Sequence, residues 1–379
     1  MVQRRLTVVQ ILPGMASGGV ERGTVEVGAE LVRRGHRAIV ISAGGRMVHE
    51  LTRHKVEHVA WKVGAKSLTT LRFIRKLRKF LRDEHVDILH ARSRLPAWIA
   101  YRAWRGMNPQ TRPHFVTTVH GFYSVSRYSA IMTKGERVIA VSEAVQRYIL
   151  DNYPQVEPAR ITVIPRGVDS KLYPHGHRPS PSWSQSWFQR YPHLLDSYVL
   201  TLPGRLTRLK GHEDFIELIA RLVERKLPVQ GLIVGAEDPR RQKYAESLRR
   251  RVRDRGLDTH ITFTGERSDM REVYASSNLV FSLSQQPESF GRTVLEALAL
   301  GVPVVGYDHG GVGEILAAMF PEGRVPFGDL DELTTRVENF LSKTPPVPGG
   351  HPFTLQRMLD RTLDLYQDLA VHAYTPEVL

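Results

Sequence analysis

The 379-residue chain contains no cysteine. That excludes a disulfide framework, a thiolate nucleophile and any zinc site built on sulfur, and it fits a reducing compartment. No uninterrupted apolar run approaches the ~20 residues needed to span a bilayer. The opening residues carry too short an apolar stretch for a signal peptide before Pro13 and Gly14 interrupt it. A soluble chain, or one held at a membrane surface, is expected. No Gly-Lys-Ser/Thr loop occurs, which argues against an NTPase, and Gly14, Gly18 and Gly19 do not form the G-x-G-x-x-G of dinucleotide sites. Acid is scarce as well. The chain has 39 Asp+Glu against 53 Lys+Arg and a formal net charge of +14, so an anionic partner is expected. No aromatic-basic motif for reading nucleic acid accompanies that charge.

What is present is the material for two cores. The length exceeds what one core usually covers, and the hydrophobic share is 41%. Apolar segments suited to buried strands alternate with helical periodicity, which predicts parallel sheets. Strands are expected at 7–12, 39–42, 88–90, 115–119, 138–142 and 161–164. A second set follows at 198–203, 231–234, 261–264, 279–282 and 304–306. Helices are expected at 20–34 and 97–105, with another running to residue 150 behind Ser142 as N-cap. The stretch 174–192, rich in Pro, His, Ser and Trp without a steady period, reads as a linker with a short helix near 183–190. The expected division is 1–172, a linker at 173–197, 198–350, and a C-terminal helix at 351–379.

Much of the positive charge is local. From Lys66 to Arg105 there are eleven Lys/Arg against three acids, Asp83, Glu84 and Asp87. Leu68, Leu71, Ile74, Leu77 and Leu81 trace one helical face there, with Phe73 and Phe80 beside it. Arg72, Arg75, Lys76, Arg78, Lys79 and Arg82 fill the rest. Such a helix packs on a sheet by its stripe and can turn its cations to anionic headgroups. A second basic run, from Arg240 to Arg255, reads as a solvated helix.

The most informative segment is Pro-Glu-Ser-Phe-Gly-Arg-Thr-Val-Leu-Glu-Ala-Leu-Ala-Leu-Gly at 287–301. Val294, Leu295, Leu298 and Leu300 set a helix starting near Phe290 or Gly291. Glu288 falls in the loop before it and Glu296 about two turns inside. The free N–H groups at the helix start favour an anion. Carboxylates beside such an end suit a ligand with both hydroxyls and phosphate.

This pattern resembles the Glu-x7-Glu motif of retaining glycosyltransferases with two facing Rossmann-like domains, the GT-B architecture, most like family 4. The resemblance implies that Glu288 holds hydroxyls of a donor sugar, with Ser289, Phe290 and Gly291 around the nucleotide, and that Glu296 holds the ribose. Gly204-Arg205-Leu206-Thr207-Arg208-Leu209-Lys210-Gly211 is similar to the family's diphosphate segment. It implies that Arg205 and Lys210 take the charge growing on the leaving phosphate. Ser17-Gly18-Gly19 resembles the family's glycine pair, so Gly18 and Gly19 are expected near phosphate. His120, at a strand end before Gly121, matches a position whose imidazole reaches the transferred sugar. Arg267, within Gly265-Glu266-Arg267-Ser268, is placed at the base-binding edge by position. The segment from Asp308 to Glu314 is expected beside Glu288.

Asp329-Leu330-Asp331 looks like a metal-binding Asp-x-Asp, but it precedes a helix and reads better as an N-cap. No metal is expected to be required. The resemblance implies a retaining transferase with a nucleotide-sugar donor, UDP-sugar favoured and GDP- or ADP-sugar open. It further implies a glycan or lipid-linked acceptor, a C-terminal helix that crosses back to the first domain, and closure of the two domains across a cleft. The segment His90-Ala91-Arg92-Ser93-Arg94 followed by Trp98 and Tyr101 looks like that of bacterial lipopolysaccharide-type transferases. A cytoplasmic protein, peripheral on the inner membrane face, is therefore expected, with no nucleic acid as partner. The rival readings are a sugar-nucleotide epimerase or hydrolase, a basic nucleic-acid-binding protein, and a non-catalytic sugar-binding relative.

Overall fold

The computed structural model describes residues 4–16, 18–237 and 242–372. Ser17, Arg240 and the side chain of Leu68, all singled out from the sequence, lie outside the described residues. The chain forms two compact units, Met1–Pro165 with Gln356–Leu379, and Arg166–Leu355.

The first unit runs β1 (Thr7–Ile11), α1 (Gly19–Arg33), β2 (Arg37–Ser42), α2 (Val48–Arg53), β3 (Glu57–Ala60), α3 (Arg72–Asp83) and β4 (Ile88–Ala91). It continues with α4 (Arg94–Arg105), β5 (His114–Val119), β6 (Arg137–Ala140), α5 (Glu143–Asn152) and β7 (Ile161–Val163). Its sheet is ordered β3-β2-β1-β4-β5-β6-β7, and every pairing is parallel. Helices cover strands of this kind on both faces, so β1, β2 and β4 are almost continuously apolar and buried, with Val9 facing Ile39 and Leu89.

The second unit runs α6 (Pro181–Arg190), β8 (Tyr198–Pro203), α7 (His212–Glu224), β9 (Val229–Val234), α8 (Gln242–Asp254) and β10 (Ile261–Gly265). Then come α9 (Met270–Ala275), β11 (Leu279–Ser282), α10 (Arg292–Ala299), β12 (Val304–Tyr307), α11 (Gly310–Met319), β13 (Arg324–Val325) and α12 (Leu330–Ser342). Its sheet, β10-β9-β8-β11-β12-β13, is also parallel throughout. From α13 (Leu355–His372) the chain rejoins the first unit, where Tyr366 is fully buried with its hydroxyl 2.5 Å from His90 Nδ1. No described helix is long and apolar enough to cross a membrane.

Three sequence readings need revision. The segment 173–197 is packed into the second unit, where Trp187, Tyr191 and Leu194 of its helical part are buried against Val199, Leu232 and Val273. The apolar stripe of α3 is Phe73, Leu77 and Leu81, whereas Leu71 is 58% exposed. Residues Leu68–Leu71 form a separate 3-10 turn behind Ser67, and the tighter winding carries Leu71 off the inner face. The short edge strands β3 and β13 were not read from the sequence at all.

In both sheets the strand order reverses once, between β1 and β4 and between β8 and β11. Ligands of open parallel sheets bind outside the carboxyl ends of the strands at such a reversal. The loops after β8 and β11 are the two that carry the Arg205–Lys210 and Glu288 motifs.

Candidate active site

The loop after β8 turns back through Gly211, whose φ is +71° and which starts α7. A side chain there would strike the Leu283 carbonyl, so only glycine lets this loop lie against the end of β11. The approach has a consequence for charge. Lys210 Nζ donates to Glu288 Oε1 at 2.8 Å, joining two residues 78 apart in sequence. Ser284, buried two residues past β11, donates its hydroxyl to the same carboxylate oxygen. Burial pushes the Glu288 carboxyl up, but the Lys210 ammonium and the Ser284 hydroxyl outweigh it and hold it below its ordinary value.

Glu288 Oε1 thus carries both donors, and Oε2 has no hydrogen-bond partner among the described residues. The ammonium of Lys210 has three N–H donors and spends one on Glu288. The pair leaves an acceptor oxygen and two cationic donors side by side. Arg205, in the same loop, is exposed and makes no ion pair among the described residues.

The α10 helix begins behind Gly291, with φ +97°, where a side chain would strike Val312. The Gly311 N–H donates to the Glu288 carbonyl at 2.7 Å, which seats the 308–314 turn on the glutamate's own backbone. His309 stacks on Phe327 at 5.0 Å; burial holds its imidazole below the ordinary histidine value, and the Glu288 charge opposes that shift. Phe290 is buried edge-on against Phe353 at 5.9 Å, and Ser289 is half-buried.

Glu296 is the fifth residue of α10, a little over one turn in rather than two, because the helix starts at Arg292. Its side chain is 11% exposed and accepts from Arg292 Nε at 2.8 Å. Beneath it lies the buried Tyr274 hydroxyl, whose ionisation burial and the Glu296 charge oppose. Ser284, Arg292 and Tyr274 were not picked as site residues from the sequence, whereas His309 lies in the segment expected beside Glu288. Arg292, four residues before Glu296, was legible as an i,i+4 pair.

The remaining predicted residues lie elsewhere. Arg267, just past β10 in the second unit, is held by Asp269 through two hydrogen bonds of 2.8 and 2.5 Å. His120 follows β5 in the first unit and is half-buried; its N–H donates to the Tyr123 hydroxyl at 3.2 Å. Gly18 caps α1 and Gly19 opens it, with the Glu21 carboxylate folded back over Gly18. Asp329 accepts from the Glu332 N–H at 2.9 Å as the N-cap of α12, and Asp331 pairs with Arg221.

Two units, each built on a parallel α/β sheet, match two glycosyltransferase family models. The family model for Glycosyltransferase Family 4 matches residues 17–172, and that for Glycosyl transferases group 1 matches residues 184–346. The chain belongs to the glycosyltransferases, as a family 4 domain followed by a group 1 domain. A glycosyltransferase from Rickettsia africae is similar at 28% identity and a TM-score of 0.85, over 96% of this chain and 98% of its own. HepE of Anabaena, solved with UDP and glucose, shares the fold at 21% identity and a TM-score of 0.75, over 97% of both chains.

Among curated relatives, the D-inositol 3-phosphate glycosyltransferase of Gordonia bronchialis is 31% identical over 193 residues. That match takes in 49% of this chain and only 40% of the relative. The UDP-Gal:alpha-D-GlcNAc-diphosphoundecaprenol alpha-1,3-galactosyltransferase of Escherichia coli is 25% identical over 317 residues, 78% of this chain and 79% of its own.

Proposed function

We propose that this chain is a retaining, metal-independent transferase that moves a sugar from a nucleoside-diphosphate donor to a glycan or lipid-linked acceptor in bacterial envelope or lipopolysaccharide synthesis. The observation that carries this reading is the Lys210–Glu288 pair at the sheet reversal, with the second carboxylate oxygen open. Glu288 Oε2 accepts from a hydroxyl of the donor sugar, and Glu296 accepts from the ribose. As the bond between anomeric carbon and diphosphate oxygen breaks, negative charge grows on that oxygen. Arg205 and Lys210 meet it, and cations placed where charge develops are worth several kcal/mol in a site shielded from water. The acceptor hydroxyl gives its oxygen to the anomeric carbon and its proton to the departing phosphate. Ser289, Phe290 and Gly291 shape the nucleotide site, and in the first unit His120, Gly18 and Gly19 are the positions that the family resemblance assigns to sugar and phosphate.

A UDP-sugar is the favoured donor, in keeping with the UDP in the HepE structure. A lipid-diphosphate acceptor is in keeping with the name of the Escherichia coli relative. The first unit binds the acceptor from the cytoplasmic membrane face through the basic side of α3.

The test presents UDP-, GDP- and ADP-sugars together with a polyprenyl-diphosphate glycan in anionic vesicles, and reads product and anomer by NMR without added metal. One donor consumed only with acceptor, its anomeric configuration kept, is the expected result. Donor consumed without acceptor would replace the reading with an epimerase or hydrolase.

A further inference from the structure

The segment between the two sheets is fastened to the second unit at several points. His177 Nε2 lies 2.5 Å from Glu272, and His193 Nε2 lies 2.8 Å from the Thr262 hydroxyl. Two further contacts converge on one ion pair. Trp183 Nε1 donates to Asp269 Oδ2 at 2.7 Å, and the Arg267 guanidinium sits 5.2 Å over the ring of Trp187. Trp183 stacks on Trp187 at 5.0 Å, and Trp187, 3% exposed, meets Tyr191 edge-on at 4.7 Å. Arg267 is 20% exposed and Asp269 27% exposed. The pair is therefore partly buried, framed by the two indoles. What two tryptophans and a bidentate carboxylate fix is the direction of the guanidinium.

Arg267 also stands at a telling place. The Gly204 N–H donates to Val234 O at 2.8 Å, and the Gly235 N–H donates to Gly265 O at 3.0 Å. The loop after β8 is therefore bonded to the end of β9 and the loop after β9 to the end of β10, and Lys210 lies against Gly204 at the start of the series. β10 is two strands from β8, about 10 Å at ordinary strand spacing. The far, carbonyl-bearing edge of a nucleobase lies roughly that far from its diphosphate. Above Gly265 a side chain would meet nothing within 4 Å, so the space beside Arg267 is open. Asp269 occupies two of the five guanidinium N–H donors, leaving three.

We propose that helix α6 is part of the donor site. In this assignment Trp183, Trp187 and Asp269 are positioning residues that aim Arg267 at a carbonyl oxygen of the nucleobase. It rests on the nucleotide-sugar reading above and narrows it. A guanidinium aimed at a carbonyl oxygen accepts uracil or guanine, whereas adenine offers only ring nitrogens as acceptors and is disfavoured.

Isothermal titration of UDP, GDP, ADP and inorganic pyrophosphate tests this. The wild type should prefer UDP or GDP over ADP. Arg267→Gln should erase that preference. Trp187→Leu should weaken the preferred nucleotide about tenfold, the scale of one hydrogen bond to a charged group. Pyrophosphate binding should be unchanged in both, and Trp187→Phe should restore the nucleotide. A preference intact in Arg267→Gln would overturn the assignment, as would a Trp187→Leu protein that loses pyrophosphate and nucleotide equally. A wild type that binds no nucleotide would overturn the donor reading itself, and this assignment with it.

Discussion

Two helices of similar charge differ in what their cations touch. On α3, Lys79 alone among the six Lys/Arg pairs with a carboxylate among the described residues, its own neighbour Asp83. Arg72 lies over Phe73 and Lys76 over Trp61, and on the adjoining α4 Arg102 and Arg105 lie over Trp98 and Tyr101. On α8 and just beyond it, Arg249 meets Glu237, Arg251 meets Glu213, and Arg255 meets Glu217 and Glu224. A cation over an aromatic ring keeps its charge for an outside partner, whereas one paired with a carboxylate has half spent it. Composition alone does not separate these cases. The acids that neutralise α8 come largely from α7, another helix, while α3 has no such neighbour.

Reversing the charges of the two helices is the broadest way to break this comparison. Changing Arg72, Arg75, Lys76 and Arg82 together to Glu should remove at least about 4 kcal/mol of affinity for anionic vesicles, about a thousandfold or more, at ~1 kcal/mol per cation lost and with the new anions repelled besides. The same reversal of Arg249, Arg251 and Arg255 should leave vesicle sedimentation nearly unchanged. Equal losses from both helices would show that total charge, not its partners, governs binding.

Lys210 is the paired cation with a proposed task. Lys210→Ala should lower the turnover number roughly a hundredfold or more, the scale for one donor to a developing anion. Single-turnover kinetics under saturating donor would separate that from lost affinity.

His212, at the end of the Lys210 loop, sharpens the contrast in pH response. Burial pushes its imidazole down to about 4. The unfolded chain takes this proton below about pH 6.5 and the folded chain only below about 4. The unfolded state binds more protons in that window, so stability is full above it and falls as pH drops through it. The loss is on the order of 3 kcal/mol, and His212→Gln should flatten that part of a denaturation series. The inner face of α3, with Phe73, Leu77 and Leu81, carries no such group. The smallest effect belongs to the α8 pairs. Arg251→Ala should change stability by about 0.5 kcal/mol or less in urea melts, since both partners are nearly half exposed.

Local chemistry was legible and long-range chemistry was not. The helix behind Gly291, the Ser142 and Asp329 caps and the buried strands follow from signals within a few residues. The alternation of those strands with helices gave the two parallel sheets. The Lys210–Glu288 bond depends on a loop turned by Gly211, and no spacing rule reaches across it. Trp183, Trp187 and Tyr191 recur every four residues, a helical stripe obscured by the Ser, Pro and His around it. Leu71 fits the stripe of α3 only if the helix is extended backwards, and a 3-10 turn prevents that.

The central claim is that the second unit binds a nucleoside diphosphate through its paired glutamates and basic loop. A thermal-shift screen against UDP, GDP, ADP, CMP, and short DNA and RNA tests it most directly. A ligand at ~100 times its Kd adds about 2.7 kcal/mol to stability, a shift easily read. The account predicts a rise with one nucleoside diphosphate that disappears in Glu296→Ala. Silence with every nucleotide, beside a clear rise with nucleic acid, would contradict it.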